Sequence, residues 1–164
     1  MSTFAPFAKP MYVMLKPVGS KCNLDCDYCY YLEKENLYEK KNPVMSEDLL
    51  ERFIKQYIES QTMPEIMFTW HGGETLMRPL SFYKRAIELQ KQYGRGRHIE
   101  NSIQTNGTLL NDDWCRFFKE NNFLVGISID GPKEFHDEYR RDKMGRPSFH
   151  RVMRGIELLK KHEV

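Results

Sequence analysis

Residues 66–74 read Ile-Met-Phe-Thr-Trp-His-Gly-Gly-Glu, a short apolar run that stops at a glycine pair. A run of this length and composition is typical of a buried β-strand. Amphipathic helical patterns lie on both sides of it. The first begins at Ser46, a favourable N-cap residue, and repeats apolar side chains through Ile58; the second ends at Gly94. The stretch therefore predicts a strand between two helices.

The same alternation extends outward to both ends of the chain. Further strands are predicted at residues 11–18, 102–104 and 124–129, and further helices begin after the N-cap residues Asn111 and Ser148. Four strand–helix units in succession predict an α/β fold with a parallel sheet and right-handed crossovers. The chain stops where a fifth strand would begin, so we expect it to be part of a longer protein, with the last sheet edge unpaired.

The residue groups suited to chemistry follow the predicted strands. Cysteines come after the first strand, His71 to Glu74 after the second, Gln104 to Gly107 after the third and Ser128 to Gly131 after the fourth. In parallel α/β folds, functional groups gather at the carboxyl ends of the strands, because those ends meet at one edge of the sheet. The sequence therefore predicts a functional site at this edge.

Composition limits the class of protein. The 164 residues, 40% of them hydrophobic, suffice for one domain with a core, and 25 Lys and Arg against 23 Asp and Glu leave a formal charge of +2. This near-balance gives no indication of a nucleic-acid partner or a membrane surface. Because no signal-peptide pattern or membrane-spanning run is found, we expect a cytoplasmic protein, in which closely spaced cysteines serve metal or redox chemistry.

Cys22, Cys26 and Cys29 place three thiols within eight residues of a polar loop. Structural zinc is normally held by four ligands. Three thiolates suit an iron–sulfur cubane that leaves one iron open to a small molecule with nitrogen and oxygen donors. The remaining cysteine, Cys115, lies beside Trp114 in a predicted helix and is expected to be buried and inert. A zinc site completed by a distant histidine remains an alternative.

The Cys-x-x-x-Cys-x-x-Cys spacing, with Tyr28 before the third cysteine, resembles the signature of the radical S-adenosylmethionine (SAM) superfamily, and Gly72-Gly73-Glu74 resembles its second motif. The resemblance implies a partial TIM-type barrel, with about four β/α units in this chain. It also implies a [4Fe–4S] cluster on the three cysteines, whose open iron holds SAM. Reduction of the cluster would break the S–C5′ bond, and the 5′-deoxyadenosyl radical would remove a substrate hydrogen.

The resemblance further implies how the methionine and adenine parts of SAM are bound. Gly72 and Gly73 would let backbone groups approach the cofactor closely, and Glu74 would accept hydrogen bonds from its ammonium group. Tyr28 would offer backbone groups to the adenine, with its ring lying nearby.

Residues near the ends of the third and fourth strands complete the implied site. Ser128 and Asp130 would hydrogen-bond the ribose or the methionine carboxylate of the cofactor. Arg140 matches an arginine that relatives use for that carboxylate, with its neighbour Arg141 as the alternative. Gln104 to Asn106 either line the cavity or form a polar turn led by Asn-Gly.

Longer stretches closely resemble the anaerobic sulfatase-maturating enzymes: residues 68–76, Tyr30-Tyr31-Leu32 and residues 128–132. The likeness runs from about Pro10 to the last residue, so residues 1–164 are interpreted as the N-terminal part of a radical SAM core. It implies oxidation of a cysteine or serine of a sulfatase polypeptide to Cα-formylglycine, with an electron donor such as flavodoxin or ferredoxin. The general base and the auxiliary [4Fe–4S] clusters of such enzymes would lie in a C-terminal region that is absent from this chain.

Tyr31 and His71 flank the cysteine loop and the second strand, so both are candidates to face a substrate peptide; a hydrogen-bonded structural role for His71 remains open. The other histidines, interpreted as lying on loops or exposed helix positions, are assigned no role: His98, His136, His150 and His162. Two rival functions also remain. One is another peptide-modifying radical SAM enzyme, for example one that forms thioethers, and the other is a non-catalytic metal-binding module.

Overall fold

A computed structural model describes residues 11–31, 34 and 44–164. Four parallel strands form one sheet in the order β1-β2-β3-β4. The strands are β1 (Met14–Leu15), β2 (Glu65–Trp70), β3 (His98–Thr105) and β4 (Phe123–Ile127). This order and direction confirm the predicted parallel α/β sheet. Residues 1–10, where a signal peptide would lie, and Leu32 of the Tyr-Tyr-Leu stretch fall outside the described residues.

The described part of the chain contains five α-helices: α1 (Glu47–Ser60), α2 (Leu80–Gly94), α3 (Asp112–Glu120), α4 (Lys133–Tyr139) and α5 (Phe149–Lys161). Two of the predicted N-caps are confirmed. The Ser46 hydroxyl accepts from the Leu49 N–H at 3.2 Å, and the Asn111 side-chain oxygen accepts from the Trp114 N–H at 3.0 Å. Each cap satisfies a backbone donor that the first helical turn leaves unpaired. Within the described ranges, every helix is too short or too polar to cross a membrane.

The start of α5 differs from the prediction. Ser148 occupies the N-cap position, but its hydroxyl donates to the Arg140 carbonyl oxygen at 2.7 Å instead of capping the helix. The Asp137 carboxylate takes that role, because its Oδ1 accepts from the N–H groups of Ser148 and Phe149 at 3.1 and 2.9 Å. The prediction of Ser148 as the capping side chain is therefore wrong. Asp137 belongs to α4, a helix that the sequence pattern does not indicate, so the cap ties α5 to α4.

The strands differ in length from their predictions. β1 has two residues where the apolar pattern predicts residues 11–18. It ends before Val18 because Pro17 lacks a backbone donor and Gly19 turns the chain with a φ of +59°. β3 has eight residues where the pattern predicts residues 102–104, because β2 and β4 pair with it on its two sides despite its polar sequence. β4 is displaced from its predicted bounds by one residue at its start and two at its end.

The core around β2 is built largely from aromatic side chains. Trp70 packs edge to face against Phe82 and Tyr83, and Tyr83 packs in the same manner against Trp114. The buried Trp70 indole donates to the Asn101 side-chain oxygen at 2.9 Å, so its polar atom is satisfied as well. This packing fixes the carboxyl end of β2, from which the His-Gly-Gly-Glu segment follows.

Candidate active site

A cavity of about 250 Å³ opens at the carboxyl ends of the strands. Residues that follow all four strands line it: Cys22, Leu24, Cys26, Tyr28, Cys29, Tyr30, Tyr31, His71, Gly72, Gly73, Gln104, Thr105, Asn106, Ser128 and Arg140. The cavity brings together most of the residue groups that the sequence places after separate strands. Glu74 and Asp130 are not part of its lining.

A larger cavity, of about 430 Å³, lies at the opposite edge of the sheet, near the amino ends of β3 and β4. Its lining combines amide, glycine and charged residues, such as Gln90, Gly96 and Arg97, and contains no cysteine. Because chemistry in parallel α/β folds belongs to the carboxyl edge, the smaller cavity is the candidate site.

All three cysteines of the motif are free thiols that line this smaller cavity. Burial raises the pKa of the Cys22 thiol, and burial raises the pKa of Cys26 to about 11 although the nearby Arg140 guanidinium lowers it. A bound cation would favour the thiolate of Cys22 and of Cys26 against this effect of burial. Among the described residues, no three histidine, cysteine or acidic side chains converge in the manner of a single-ion site. Cys115, in α3, is fully buried, as predicted.

The glycine pair after β2 packs against the backbone of the cysteine loop. The Gly73 N–H donates to the Gly19 carbonyl oxygen at 2.9 Å. A Cβ atom on Gly73 would lie 2.0 Å from the Lys21 carbonyl oxygen, and one on Gly72, whose φ is +126°, would lie 2.8 Å from that of Gly19. Only glycine therefore allows this approach. Both glycines also line the cavity, but the contact that requires them is with the protein's own loop.

Glu74 is fully buried behind the cavity lining. Its Oε1 accepts from the Leu76 N–H at 2.9 Å and the Thr105 hydroxyl at 2.6 Å, and its Oε2 accepts from the Asn106 N–H at 2.7 Å. Burial raises the pKa of this carboxyl, and the donors oppose that effect. A buried carboxylate needs several donors, and those of Glu74 come from the residues that end or follow β2 and β3. The contact expected between Glu74 and a cofactor ammonium stays a prediction.

Asn106 extends this network to the cysteine loop. Its Nδ2 donates to the Asn23 side-chain oxygen at 2.9 Å and lies 3.8 Å from Cys22 Sγ. Thr108 donates to Asn106 Oδ1 through both its N–H and its hydroxyl, at 3.0 and 2.7 Å. The side chain is thus held on several sides, and residues 104–106 all line the cavity. Asn23 and Thr108 act only through these tertiary contacts, so no motif in the sequence identifies them.

Asp130, Arg140 and Tyr28 form a polar cluster beside Cys26. Arg140 Nε lies 2.9 Å from Asp130 Oδ2, and the Tyr28 hydroxyl donates to the same carboxylate oxygen. The guanidinium also lies 4.0 Å from Cys26 Sγ and covers the Tyr28 ring, with Cζ 5.4 Å from its centroid. Burial raises the pKa of the Asp130 carboxyl, but Tyr28 and Arg140 outweigh burial and hold this pKa below its usual value. Arg140 lines the cavity, whereas Arg141 does not.

Ser128 and Asp130, which were expected to contact the cofactor together, take different positions. The Ser128 hydroxyl lines the cavity and accepts from Gln104 Nε2 at 2.9 Å, which leaves its proton for an acceptor in the cavity. The Asp130 carboxylate contacts Tyr28 and Arg140 instead. Of the two residues, the structure brings only Ser128 to the cavity, because the neighbouring cation attracts the Asp130 carboxylate.

Tyr31 and His71 meet in the lining of the cavity. The Tyr31 hydroxyl lies 3.4 Å from His71 Nδ1, which accepts from the Gly72 N–H at 2.7 Å. Burial and the Lys16 ammonium lower the pKa of His71, so the neutral ring is favoured. Because Nδ1 is an acceptor, the proton of the neutral ring lies on Nε2. His71 therefore has a structural hydrogen bond and also lines the cavity.

His136 contradicts the interpretation that it lies at an exposed position. Its side chain is fully buried in α4, a helix of seven residues. Such a short helix has too few turns for an apolar pattern to reveal its buried face, so no signal in the sequence identifies this residue. His98 and His150 are exposed, and His162 is partly buried beside Asp112.

The end of α4 and the residues that follow it are hydrogen-bonded to the backbone of the cysteine loop. The N–H groups of Asp25 and Asp27 donate to the carbonyl oxygens of Arg141 and Tyr139, at 2.7 and 3.0 Å respectively. The turn that follows is built on Asp142, a buried carboxylate. The position of the cysteines therefore depends on a part of the chain that is distant in sequence.

Asp142 holds this turn through four contacts. Its Oδ1 accepts from the N–H groups of Met144 and Arg146, each at 3.0 Å. Its Oδ2 lies 2.9 Å from Arg146 Nε and 3.2 Å from Arg151 Nη2. Burial raises the pKa of this carboxyl, but the backbone and arginine contacts lower it to about 2. A carboxyl whose pKa falls on folding stabilises the folded state at pH values above the pKa that it has in the unfolded chain. This stabilisation is lost as the pH falls through the lower pKa of the folded state.

Replacing Asp142 with Asn should therefore lower the melting temperature at neutral pH, by several degrees. The difference from the wild-type protein should shrink as the pH falls from about 4, near the unfolded pKa, to about 2. Thermal unfolding across this range measures both effects. Asp113→Asn, on the exposed side of α3, is the matched control and should change little. A difference between Asp142→Asn and wild type that stays constant over this range would contradict the assignment.

The fold and the site together define a class of protein. The sheet has four parallel strands. Three cysteines, a glycine pair and polar side chains lie together at the carboxyl ends of these strands. Residues 17–164 match the model of the Radical SAM superfamily, and the chain belongs to this superfamily. Its four β/α units form part of a radical SAM barrel.

Within this superfamily, the chain is similar to several anaerobic sulfatase-maturating enzymes. The chain is 73% identical to the serine-type anaerobic sulfatase-maturating enzyme of Bacteroides thetaiotaomicron, over 99% of this chain and 40% of that protein. It is 46% identical to the serine-type enzyme of Klebsiella aerogenes, over 94% of this chain and 38% of that protein. A solved structure, native anSMEcpe with bound AdoMet and Cp18Cys peptide, matches with a TM-score of 0.84 and 38% identity, over 93% of this chain and 40% of that chain. The chain thus spans about 40% of the length of these relatives.

Proposed function

We propose that the intact protein is a serine-type anaerobic sulfatase-maturating enzyme, in which residues 1–164 form the N-terminal part of the radical SAM core. It oxidises a serine of a sulfatase polypeptide to Cα-formylglycine. The observation that carries the proposal is 73% identity to a serine-type enzyme over 99% of the chain. The cysteine-type enzyme of Clostridium novyi is 42% identical. This difference supports serine as the target, a choice that the motifs alone leave open.

The donor set fits a [4Fe–4S] cluster on Cys22, Cys26 and Cys29. The three thiols line one cavity, and Arg140 lies 4.0 Å from Cys26 Sγ, where a cation favours the thiolate. Each thiolate of a cubane binds a different iron, so the sulfurs need not converge on one point as they would around zinc. Three protein ligands leave one iron for S-adenosylmethionine. When bound, the cluster and this cofactor supply the radical chemistry that removes a substrate hydrogen.

The rest of the lining suits S-adenosylmethionine. Arg140 provides a cation for the methionine carboxylate, and Ser128 provides a hydroxyl proton for a ribose or carboxylate oxygen. Gly72 and Gly73 present backbone groups without side chains in the way. Tyr28, whose side chain is largely exposed, offers a backbone and ring edge for the adenine. Glu74 and Asp130 act behind this lining by holding the groups that face the cofactor.

The sulfatase polypeptide enters beside Tyr31 and His71, at the part of the lining contributed by the cysteine loop and the end of β2. Both rings are polar at their tips and line the cavity, which suits contacts with an extended peptide. The general base and the auxiliary clusters belong to parts of the intact protein outside residues 1–164, and a donor such as flavodoxin or ferredoxin supplies the electron. Residues 1–164 supply the cofactor site.

The decisive experiment incubates the intact protein with S-adenosylmethionine, a one-electron reductant and a sulfatase-derived peptide that carries Ser in a Ser-x-Pro/Ala-x-Arg context. We expect the serine to lose two hydrogens, which mass spectrometry detects, together with one 5′-deoxyadenosine for each turnover. The matched control is the same peptide with Ala in place of Ser, which should stay unchanged because it has no hydroxyl to oxidise.

Two other outcomes discriminate the rival functions. Formation of 5′-deoxyadenosine without any change in the serine peptide would contradict the proposal and favour a different peptide-modifying radical enzyme. A protein that binds zinc and forms no 5′-deoxyadenosine would instead be a non-catalytic metal-binding module. A peptide with Cys in place of Ser tests the proposed preference, and faster oxidation of Cys than of Ser would contradict it.

A further inference from the structure

His136 connects the two residues of the ion pair beside Cys26. Its Nδ1 accepts from the Asp130 backbone N–H at 3.3 Å, and its Nε2 lies 2.9 Å from Ser148 Oγ. The Ser148 hydroxyl in turn donates to the Arg140 carbonyl oxygen at 2.7 Å. A continuous set of hydrogen bonds therefore runs from the backbone of Asp130 to the backbone of Arg140, and the buried imidazole lies at its centre.

The contacts define the protonation of His136. The Ser148 hydroxyl has one proton, and that proton goes to the Arg140 carbonyl oxygen, which cannot donate. Nε2 of His136 must therefore carry the proton that it donates to Ser148, and Nδ1 must be the acceptor for Asp130. The neutral ring with its proton on Nε2 satisfies every contact. The other neutral tautomer and the charged ring would each place an N–H against the Asp130 N–H.

Both backbone polar groups of Arg140 are linked to residue 136, the N–H through the backbone of that residue and the carbonyl oxygen through its imidazole. The Arg140 N–H donates to the His136 carbonyl oxygen at 2.8 Å, and the Arg140 carbonyl oxygen is held through Ser148. The Arg140 side chain is 15% exposed, lines the cavity and lies 2.9 Å from Asp130 Oδ2. The imidazole thus restrains the backbone on both sides of the ion pair, although it does not itself line the cavity.

We propose that His136 is a positioning residue for S-adenosylmethionine: it fixes the Asp130–Arg140 pair where the guanidinium meets the cofactor carboxylate. The inference rests on the proposed function only in that this cavity binds S-adenosylmethionine. Without the imidazole, the Asp130 N–H and the Ser148 hydroxyl lose a partner, and the backbone of Arg140 loses one of the contacts that hold it in place. Because outer residues that orient ligand-binding groups typically change affinity by about tenfold or more, a loss of that size is expected.

The test measures equilibrium binding of S-adenosylmethionine to the intact protein with its cluster reconstituted and unreduced, so that no cleavage occurs. We expect His136→Leu to weaken binding by about tenfold. His136→Asn, whose side-chain oxygen can replace Nδ1 as the acceptor for Asp130, should recover part of the affinity. His98→Leu is the matched control, because His98 is exposed at the start of β3, far from the cavity, and should bind as wild type does.

A double-mutant cycle with Asp130→Ala separates positioning from general destabilisation. If His136 acts through the ion pair, adding His136→Leu to Asp130→Ala should weaken binding by less than about twofold further. If the two losses multiply, His136 acts independently of the pair and the inference is overturned. Thermal unfolding of each variant shows whether a change in stability accompanies the change in affinity.

If His136→Leu does not fold, Ser148→Ala provides a second measurement of the same effect. Ser148→Ala removes the link between the imidazole and Arg140, and it should weaken binding of S-adenosylmethionine in the same direction. Wild-type affinity in Ser148→Ala and His136→Asn would overturn the inference while leaving the proposed function intact. Conversely, a wild-type protein that binds S-adenosylmethionine but leaves the serine peptide unchanged would contradict the proposed substrate, and the dependence of affinity on His136 would still stand.

Discussion

Cys26→Ala in the intact protein should lower the iron content by one cluster and abolish the formation of 5′-deoxyadenosine. Cys26 is one of three thiols in the cavity lining, and its side chain lies beside the Arg140 guanidinium. With one of three thiolates removed, a second iron of the cubane has no protein ligand, and such a cluster is not retained. Iron and sulfide analysis after anaerobic reconstitution, the visible absorbance and a chromatographic assay for 5′-deoxyadenosine measure the effect.

Cys115→Ala is the matched control for this change. Cys115 is equally a free thiol, but it is buried in α3 and absent from the cavity lining. Its replacement should cost about 1 kcal/mol of stability, as expected for removal of a small buried group, and leave the iron content unchanged. A Cys26→Ala protein that produced 5′-deoxyadenosine at the wild-type rate would exclude the cysteine loop as the cluster site.

Gly73→Ala should destabilise the fold by roughly 3 kcal/mol and impair cluster binding at the same time. The added Cβ would lie 2.0 Å from the Lys21 carbonyl oxygen and 2.5 Å from that of Ser20. Both contacts are with backbone, which cannot rotate away as a side chain can, so the loop that carries Cys22 must move. Urea unfolding reports the loss of stability, and iron content after reconstitution reports the displacement of the loop.

Gly94→Ala provides the control for the addition of one methyl group. Gly94 is the last residue of α2, and its added Cβ would meet only the end of the Ile99 side chain, at 3.0 Å. That side chain can change rotamer, and alanine is favoured over glycine in a helix by roughly 0.5–1 kcal/mol, so the net effect should be small. Gly73→Ala and Gly94→Ala proteins of equal stability would show that the glycine pair is not required for close packing of the loop.

The features that the sequence predicts well are those determined by local interactions. Ser46 and Asn111 cap helices because each side chain reaches a backbone N–H three residues further along the chain. The cysteine spacing and the glycine pair are short motifs, and the strand–helix alternation places them at one edge of the sheet without further information. The parallel sheet and the position of the cavity follow from these local features.

The features that the sequence does not predict depend on contacts between distant residues. β3 is longer than its apolar pattern because its two neighbouring strands complete its hydrogen bonds. Ser148 has the residue type of an N-cap, but its hydroxyl bonds to Arg140, and Asp137 caps the helix instead. Propensity describes what a side chain can do near its own position, and it cannot reveal a partner elsewhere in the fold.

Glu74 and His136 illustrate the same limit within the site. A carboxylate after a glycine pair is a reasonable ligand for an ammonium group, yet Glu74 accepts from Thr105 and Asn106 across the sheet. A histidine in a short polar segment gives no indication of burial, yet the packing of α4 against α5 encloses it completely. Both residues support the groups that line the cavity, and such supporting residues become visible only when the tertiary contacts are known.

The contacts between the cysteine loop and residues 139–142 bear on when the proposed cluster can be assembled. Leu24 pairs with Asp142, and Arg140 reaches Cys26 across 114 residues of sequence. Contacts between such distant residues form late, because the entropy of closing a long loop must be overcome first. During synthesis, the three thiols therefore leave the ribosome before β4, α4 and residues 139–142 have been translated. Until then they lack the contacts with these later residues. We therefore expect iron and sulfide to be inserted after residues 139–142 have been translated and have bonded to the cysteine loop.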